Sequence, residues 1–470
     1  MSFIALWNAR PLVRRLLFPA TLALVALPAL MGHGYQVDEQ SARRLGDAFS
    51  GGAAEARDAT TAFYNPAGLV RLKQREYVAG FSLINNQTDF EGSGFTTDGL
   101  NLIPISGGDG GDPDSNIAIP HLYLALPVND TSVFGLSINA PYATGTDYER
   151  SWVGRYFATE SELYGVNLTG SIGVVVGDHL SLGLGLSLQM AEGKIENAVN
   201  AAGICALVAA QGGLELIGAS SCEALGFDAP GTATDDGLVT VEGDDLGIGF
   251  SAGLLYQFTE GSRIGFHYRG DIEQRLEGDV TFNFPDYTAA VLPLADPNLR
   301  ARTVGGFLDL TTPEAASLSG FHQINQRWSI QGDVIWTRWS RFQSLTVAVS
   351  DGPDIPQPQL WDDTLRFALG TEIRVNDALL VRAGAARDES PIPDETLNLN
   401  FPFEDFAAFS LGATIKLSER LGMDIGLQKT LAMDVAINQG SLTSDAAVLQ
   451  GNLETDIFSM AMGITYRPGK

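Results

Sequence analysis

From Arg75 onward the sequence alternates apolar residues with small or polar ones, and this period of two is the feature that most constrains the fold. In Leu180–Met190, Leu or Met occupies every even position and Ser, Gly or Gln every odd one. Side chains of a strand point alternately to its two faces, so such a segment has one apolar and one polar face. Strands of a soluble sandwich are shorter, about 5–6 residues, and their outer face is charged. The pattern therefore predicts membrane-crossing strands.

The links between these segments alternate strictly between short and long. We predict strands at about 75–90, 117–128, 131–143, 160–176, 179–195, 243–258, 261–284, 303–324, 327–348, 362–375, 378–389, 404–417, 420–437 and 453–466. Two-residue turns such as Asn129-Asp130 alternate with long loops, of which 196–242 is the longest. Outer-membrane barrels are connected in this way. The sequence thus predicts an all-β fold, a 14-stranded antiparallel transmembrane β-barrel with both termini on the short-turn side.

The chain before the first strand divides into two parts. Residues 1–32 have three arginines followed by an apolar stretch, Leu16–Leu30, and resemble a secretory signal peptide. Residues 33–74 are rich in small and polar side chains and do not alternate. Alone this segment could hardly bury enough apolar surface to fold, because ordering the backbone costs about 1–2 kcal/mol per residue. We therefore expect 33–74 to be an N-terminal hatch (plug) inside the lumen, with the barrel at 75–466 and a periplasmic tail at 467–470.

The net charge of −27 argues against nucleic acid as a partner and against binding to anionic lipid through basic patches. Acidic residues fall in predicted loops, as at Asp109, Asp112 and Asp114. There they would share divalent cations with lipopolysaccharide, or they serve solubility alone.

The long loop 196–242 contains both cysteines, Cys205 and Cys222. An exported chain favours a disulfide between them over two unpaired thiols. The same loop carries the apolar stretches Ile204–Ala210, with Leu207 and Val208, and Leu214–Ile217. An exposed apolar patch usually marks a binding surface, so the loop is either a flap that collects a hydrophobic ligand or a small self-packed core.

Seven short motifs, in this order, resemble the long-chain fatty-acid transporter family of outer membranes (the FadL family) over nearly the whole mature length. They are Gly34-Tyr35-Gln36-Val37, Asn65-Pro66-Ala67, Lys194-Ile195-Glu196, Asp309-Leu310-Thr311-Thr312-Pro313-Glu314, Trp339-Ser340-Arg341-Phe342, Phe367-Ala368-Leu369-Gly370-Thr371 and Asp388-Glu389-Ser390-Pro391-Ile392-Pro393. The resemblance implies transport of long-chain fatty acids or similar hydrophobic compounds. Outer loops would capture them, a lumen pocket gated by the hatch would bind them, and a lateral opening in the barrel wall would release them.

The resemblance also implies roles for particular residues. Gly34 and Tyr35 would lie against the ligand, Asn65, Pro66 and Ala67 would take part in gating, and an inward kink at Asn139 and Pro141 would make the opening. Sequence alone equally allows the third strand simply to end at Pro141, since proline cannot donate to a strand ladder. At the two family positions that carry basic residues this chain has Asn197 and Thr346. The ligand is then neutral, a hydrocarbon or aromatic, or Lys194 or Arg155 supplies the cation that a buried carboxylate needs.

Four charged residues occupy the alternate strand positions that are predicted to face the lumen: Arg366, Glu372, Arg374 and Arg382. Charge on the lipid face would cost about 2–4 kcal/mol at mid-membrane. We expect them to pair with hatch acids such as Asp47, Glu55 or Asp58 and so hold the hatch, or to line a solvated pore.

No catalytic or metal site is predicted, and no cofactor. Gly249-Phe250-Ser251-Ala252-Gly253 matches a nucleophile elbow, but that motif needs a strand-to-helix turn and here falls within a strand. The five histidines have no metal-ligand spacing. The other candidates are an open diffusion porin and an outer-membrane lipolytic enzyme. We expect a monomer in the outer membrane of a Gram-negative bacterium, in contact with its lipid and lipopolysaccharide.

Overall fold

The computed structural model describes residues 34–97, 101–111, 115–431, 433–440 and 447–469. The predicted signal peptide, His33, Asp112 and Asp114 lie outside them. Within the described residues, twenty strand segments form one sheet. Two of these are short loop strands, and four pairs are halves of one interrupted strand, so fourteen strands cross. The first pairs antiparallel with the last from Tyr77↔Tyr466 to Thr96↔Ala447 and closes the cylinder. The predicted fold class is confirmed.

The strands are numbered in chain order. They are β1 (Glu76–Thr97), β2 (Ser115–Pro127), β3 (Ser132–Asp147), β4 (Glu160–Val175), β5 (Leu180–Val199), β6 (Gly237–Thr259), β7 (Ser262–Arg269 and Ile272–Asn283), β8 (Arg302–Thr312 and Ala315–Gln323), β9 (Trp328–Thr337 and Ser344–Val349), β10 (Thr364–Arg374), β11 (Leu379–Asp388), β12 (Phe406–Lys416), β13 (Leu421–Thr430 and Met433–Gln439) and β14 (Ala447–Tyr466). Leu102–Pro104 and Ile355–Pro358 are the loop strands.

Two features of the strands differ from the prediction. Several strands extend further on the loop side, with β1 reaching Thr97 and β6 beginning at Gly237. Four predicted strands are interrupted. In β8 the break falls at Pro313, which has no N–H for the ladder. In β9 a 3₁₀ turn at Trp339–Arg341 separates the halves. Only in β9 do both halves bury the same alternate positions. In β7, β8 and β13 the buried positions shift by one residue at the break, which the predicted continuous strands did not include.

Three of the short turns are closed by asparagine side chains. The Oδ1 of Asn129 accepts from the N–H of Thr131 at 2.9 Å, and Asn376 accepts from the N–H of Ala378 at 2.8 Å. Such local bonds stabilise tight turns and explain why Asn recurs at them. The strands themselves alternate as predicted: Leu184 and Leu186 point away from the lumen and are 63% and 69% exposed, whereas Gly183 faces inward.

The N-terminal segment lies inside the cylinder. It contains α1 (Ala42–Leu45), α2 (Thr61–Tyr64) and a 3₁₀ helix at Pro66–Arg71. Helix α1 packs on β12, β13 and β14, while the 3₁₀ helix packs on β3 to β6 across the lumen. Because the segment touches opposite walls and is largely buried, it fills the lumen cross-section.

The loops contain α3 (Ala201–Ala210), α4 (Leu292–Ala295) and 3₁₀ helices at Gly213–Ile217, Glu223–Leu225, Ala233–Asp235 and Asp286–Ala290. None of the helices in the described ranges has the length and apolar character needed to traverse a bilayer.

Candidate functional site

Tyr35 is at the centre of an aromatic cluster in the lumen. Its side chain is fully buried, and its ring centroid lies 4.8 Å from that of Trp339 and 5.5 Å from that of Phe342. The hydroxyl donates to the carbonyl of Thr311 at 2.9 Å. Gly34 precedes it with φ +63°, and a Cβ there would lie 2.5 Å from Trp361. Only glycine therefore lets the chain place Tyr35 against this cluster.

A cavity of about 40 Å³ adjoins Tyr35. Its apolar lining includes Leu163, Leu276, Leu308, Leu310, Leu345 and Phe401. The charged residues that line it are Glu162, Glu242 and Lys194, and the Lys194 ammonium already pairs with Glu160 at 2.5 Å. Asn197 and Thr346 do not line it. The surroundings of Tyr35 thus suit an apolar ligand, and their charged groups are mainly acidic.

The barrel wall has a gap between β2 and β3. These two fully described strands pair only from Pro127↔Val133 to Leu122↔Ile138. Beyond that point, among the strands of the wall, β2 pairs only with β1 and β3 only with β4. In the pairing with β4 the register shifts between Asn139 and Tyr142, so Ala140 and Pro141 form a bulge. Strand β3 nevertheless continues to Asp147, which excludes the alternative that it ends at Pro141.

A larger cavity of about 290 Å³ lies at this gap. It is lined by Ile117, Ile119, Pro120, Ile138, Asn139 and Ala140 on the two separated strands, and by Tyr164, Val166 and Met190 beyond them. A cavity of about 150 Å³ is enough for benzene. Glu162, Lys194 and Glu242 line both cavities, which places the two next to each other.

The start of the N-terminal segment binds the bulge as a short additional strand. The N–H of Val37 donates to the carbonyl of Pro141 at 2.9 Å, and the N–H of Ala143 donates to the carbonyl of Tyr35 at 3.0 Å. Asn139 and Pro141, predicted to gate, thus lie beside Tyr35, predicted to touch the ligand. Gln40 also bonds to the bulge, and sequence reasoning missed both it and Pro120. A proline inside the predicted strand 117–128 was the available signal for an edge on β2.

The Asn65-Pro66-Ala67 turn lies against the wall rather than at the gap. Asn65 donates to the carbonyls of Ala53 at 2.7 Å and Leu254 at 3.0 Å. The turn fits because three facing wall residues, Gly173, Gly183 and Gly253, have no side chain: a Cβ on Gly183 would stand 2.1 Å from the nitrogen of Ala67. This turn anchors the hatch to β4, β5 and β6, and its part in gating stays a prediction.

The long loop is joined to the aromatic cluster. Cys205 and Cys222 form a disulfide with Cα atoms 6.0 Å apart. Val208 and Leu214 are buried in the same apolar core as Tyr35, and Leu207 is half-buried on α3. The apolar residues of the loop are therefore packed onto the barrel core, while Leu216 at its tip is 79% exposed.

Arg155 cannot serve as the ligand cation, contrary to one alternative above. Its Nε pairs with Asp236 at 2.5 Å, and its other N–H groups donate to three loop carbonyls and to the hydroxyl of Tyr156. All five N–H donors of the guanidinium are used. Its role is to hold the loop core together. Burial of Asp236 raises its carboxyl pKa, against the opposing effect of Arg155.

Within the described residues, the predicted pairing of wall arginines with hatch acids is found at Arg366 alone, and the acid there is Asp38 rather than Asp47, Glu55 or Asp58. Glu372 on the wall binds two hatch arginines, Arg43 at 2.5 Å and Arg57 at 2.8 Å, and also Arg382 at 3.0 Å. Arg366 pairs with Asp38 of the hatch and Asp388 of the wall. Arg374 lies exposed at the end of β10. Sequence parity identified the lumen face but did not show that the hatch supplies cations.

A closed barrel with an obstructed lumen, a buried apolar pocket and a gap in its wall defines the class of outer-membrane transport proteins. The chain belongs to the outer membrane protein transport protein family (OMPP1/FadL/TodX), whose model matches residues 22–467. This membership places it in the outer membrane of a Gram-negative bacterium.

Similar proteins extend over nearly its whole length. The long-chain fatty acid transport protein of Escherichia coli (strain K12) is 28% identical over 416 residues, 87% of this chain and 90% of that protein. Outer membrane protein P1 of Haemophilus influenzae (strain Rd) is 28% identical over 459 residues, 95% of this chain and 96% of its own. Among solved structures, a Pseudomonas aeruginosa FadL homologue superimposes with a TM-score of 0.80 at 24% identity, covering 92% of this chain and 99% of that one. The Pseudomonas putida toluene transporter TodX gives 0.64 at 16%, covering 92% and 99%.

Proposed function

We propose that this protein transports long-chain fatty acids or similar hydrophobic compounds across the outer membrane. The observation that carries the proposal is the wall gap beside a plugged lumen, with an apolar cavity of about 290 Å³ between them. The exposed tip of the long loop would collect the compound, the Tyr35 pocket would bind it when the N-terminal segment moves, and the gap would release it. Each methylene kept out of water gains about 0.8 kcal/mol, so release into the membrane is downhill.

A second candidate is uptake of neutral or aromatic hydrocarbons. Both cavities are lined by Glu162 and Glu242, and their one lysine among the described residues, Lys194, is bound to Glu160. A buried carboxylate without a cation is costly, whereas a neutral compound needs none. The similar proteins include both kinds of transporter, since the Escherichia coli protein is named for long-chain fatty acids and the Pseudomonas putida protein for toluene.

A lipolytic enzyme is disfavoured. Ser251 of the Gly249–Gly253 motif lies within β6 and pairs with Gly185 on one side and Arg269 on the other. A nucleophile elbow needs a turn at that place. We propose that the protein acts as a monomer and contacts outer-membrane lipid and lipopolysaccharide.

The test is uptake of radiolabelled oleate and toluene by cells that lack their own transporter and express this chain. We expect uptake of at least one compound, and a large loss in Tyr35→Ala. Asp405→Asn, at an exposed pair with Arg387, is the control and should behave as wild type. If neither compound enters faster than in empty-vector cells, the proposed function is wrong.

A further inference from the structure

We propose that Gln40 is the positioning residue that keeps the gap open, because its side-chain amide replaces the strand partner that Ala140 lacks. The inference rests on the proposed lateral release, which it deepens by assigning the device that holds the opening.

The peptide group of Ala140 belongs to no strand ladder. The pairing of β3 with β4 passes from Asn139↔Asn167 directly to Tyr142↔Gly165, and the pairing with β2 has already ended at Ile138. Inside a membrane no water is available to such a group, so it must find a partner within the protein. The hydrogen bonds of Ala140 therefore decide which shape this part of β3 can adopt.

Gln40 supplies both bonds. The N–H of Ala140 donates to its Oε1 at 3.0 Å, and its Nε2 donates to the carbonyl of Ala140 at 2.7 Å. A carboxamide is the side chain that donates and accepts as a peptide group does. The residue is fully buried, so these bonds do not exchange with solvent. One side chain thus satisfies both backbone polar groups of Ala140.

Gln40 is itself held from the other edge of the gap. Its carbonyl accepts from the hydroxyl of Tyr123, a buried residue of β2, at 2.7 Å. Below the gap Tyr123 stands opposite Ser137 of β3. The hatch residue therefore bridges β2 and β3 where they separate, and it fixes the width of the opening from both sides.

Both edges also resist closure. If the register of Leu122↔Ile138 continued, Pro120 would stand opposite Ala140. Pro120 and Pro141 have no N–H, so the closed ladder would be weak at this place. Loss of the Gln40 amide nevertheless leaves the N–H and the carbonyl of Ala140 without hydrogen-bond partners. The backbone of β2 is then the nearest strand with which they could pair. We expect the gap to narrow when Gln40 cannot bond.

The experiment is disulfide trapping across the gap. Pro120→Cys with Ala140→Cys should stay reduced when Gln40 is present and should crosslink under mild oxidation when Gln40→Leu is added. Directly opposed antiparallel residues have Cα atoms about 4.5–5.5 Å apart, whereas separations above about 7 Å prevent a bond. The natural cysteines are already joined and do not interfere.

Controls make each outcome informative. Leu124→Cys with Leu136→Cys, opposed in the intact ladder, should crosslink in every background and report correct folding. Gln428→Leu, which removes a buried wall glutamine bonded to Ser410, should leave the Pro120/Ala140 pair reduced. Tyr123→Phe is a milder variant that should give partial crosslinking.

The proposal is overturned if the gap pair crosslinks equally with and without Gln40, or stays reduced in Gln40→Leu while the Leu124/Leu136 pair forms. Uptake of the transported compound should fall at least tenfold in Gln40→Leu. Because trapping needs no substrate, its result stands even if the proposed function fails.

Discussion

The ion network that joins the hatch to the wall offers the sharpest quantitative prediction, through the isosteric substitution Glu372→Gln. Glu372 is about 1% exposed and contacts three guanidinium groups. Removing one partner of a buried pair costs about 3–5 kcal/mol, because the other charge is left without compensation. Here each arginine keeps another acid: Arg43 and Arg57 keep Glu55, and Arg382 keeps Asp424. We therefore expect the low end, about 3 kcal/mol.

That loss should appear as movement of the hatch, because two of the three broken contacts join it to the wall. About 3 kcal/mol corresponds to roughly a hundredfold larger fraction of displaced hatch. Single-channel recording in planar bilayers measures this fraction as the frequency of ion-conducting openings. Wild-type protein should open rarely, and Glu372→Gln should open far more often.

The matched control is Asp405→Asn, which breaks the exposed pair with Arg387. Exposed pairs are worth about 0–1 kcal/mol, so opening should not change measurably. Equal opening frequencies in wild type, Glu372→Gln and Asp405→Asn would refute the view that these charges hold the hatch.

Three further substitutions test other contacts. Gly183→Ala places a Cβ 2.1 Å from the nitrogen of Ala67 and should release the hatch turn to added protease, whereas Gly177→Ala meets nothing within 4 Å and should resist. Tyr35→Phe loses the bond to Thr311 but keeps the ring, so uptake should fall by no more than roughly fivefold, which corresponds to about 1 kcal/mol. Tyr35→Ala also loses the ring and should abolish most uptake. Cys205→Ser with Cys222→Ser removes a cross-link worth about 3 kcal/mol for a loop of this length and should make the long loop a preferred protease site without unfolding the barrel.

Strand number and facing were predictable because they depend on local pattern. The alternation of Leu184 and Leu186 with glycine decides which face meets lipid, whatever the rest of the chain does. The hatch contacts were not predictable in this way. Arg43 and Glu372 are far apart in sequence, and only the closed barrel brings them together. Gln40 has no local signature, since its partner is the backbone of Ala140 and any residue there has the same peptide group.

The placement of charge within the lumen explains why a hydrophobic passenger would turn sideways. Glu372 lies two residues before the end of β10 at the short-turn side, so its contacts with Arg43 and Arg57 of the hatch lie near that end of the barrel. The pair of Arg366 with Asp38 lies near the opposite end of the same strand. Tyr35 bonds to Thr311, in the half of β8 farther from its short turn. A passenger at Tyr35 that continued along the axis would have to separate buried ion pairs, at about 3–5 kcal/mol for each uncompensated charge. The gap requires no such separation and leads into lipid, where each methylene keeps its gain of about 0.8 kcal/mol. On the proposed function, the polar hatch would therefore close the lumen and also leave the lateral route as the one with the lower free-energy cost.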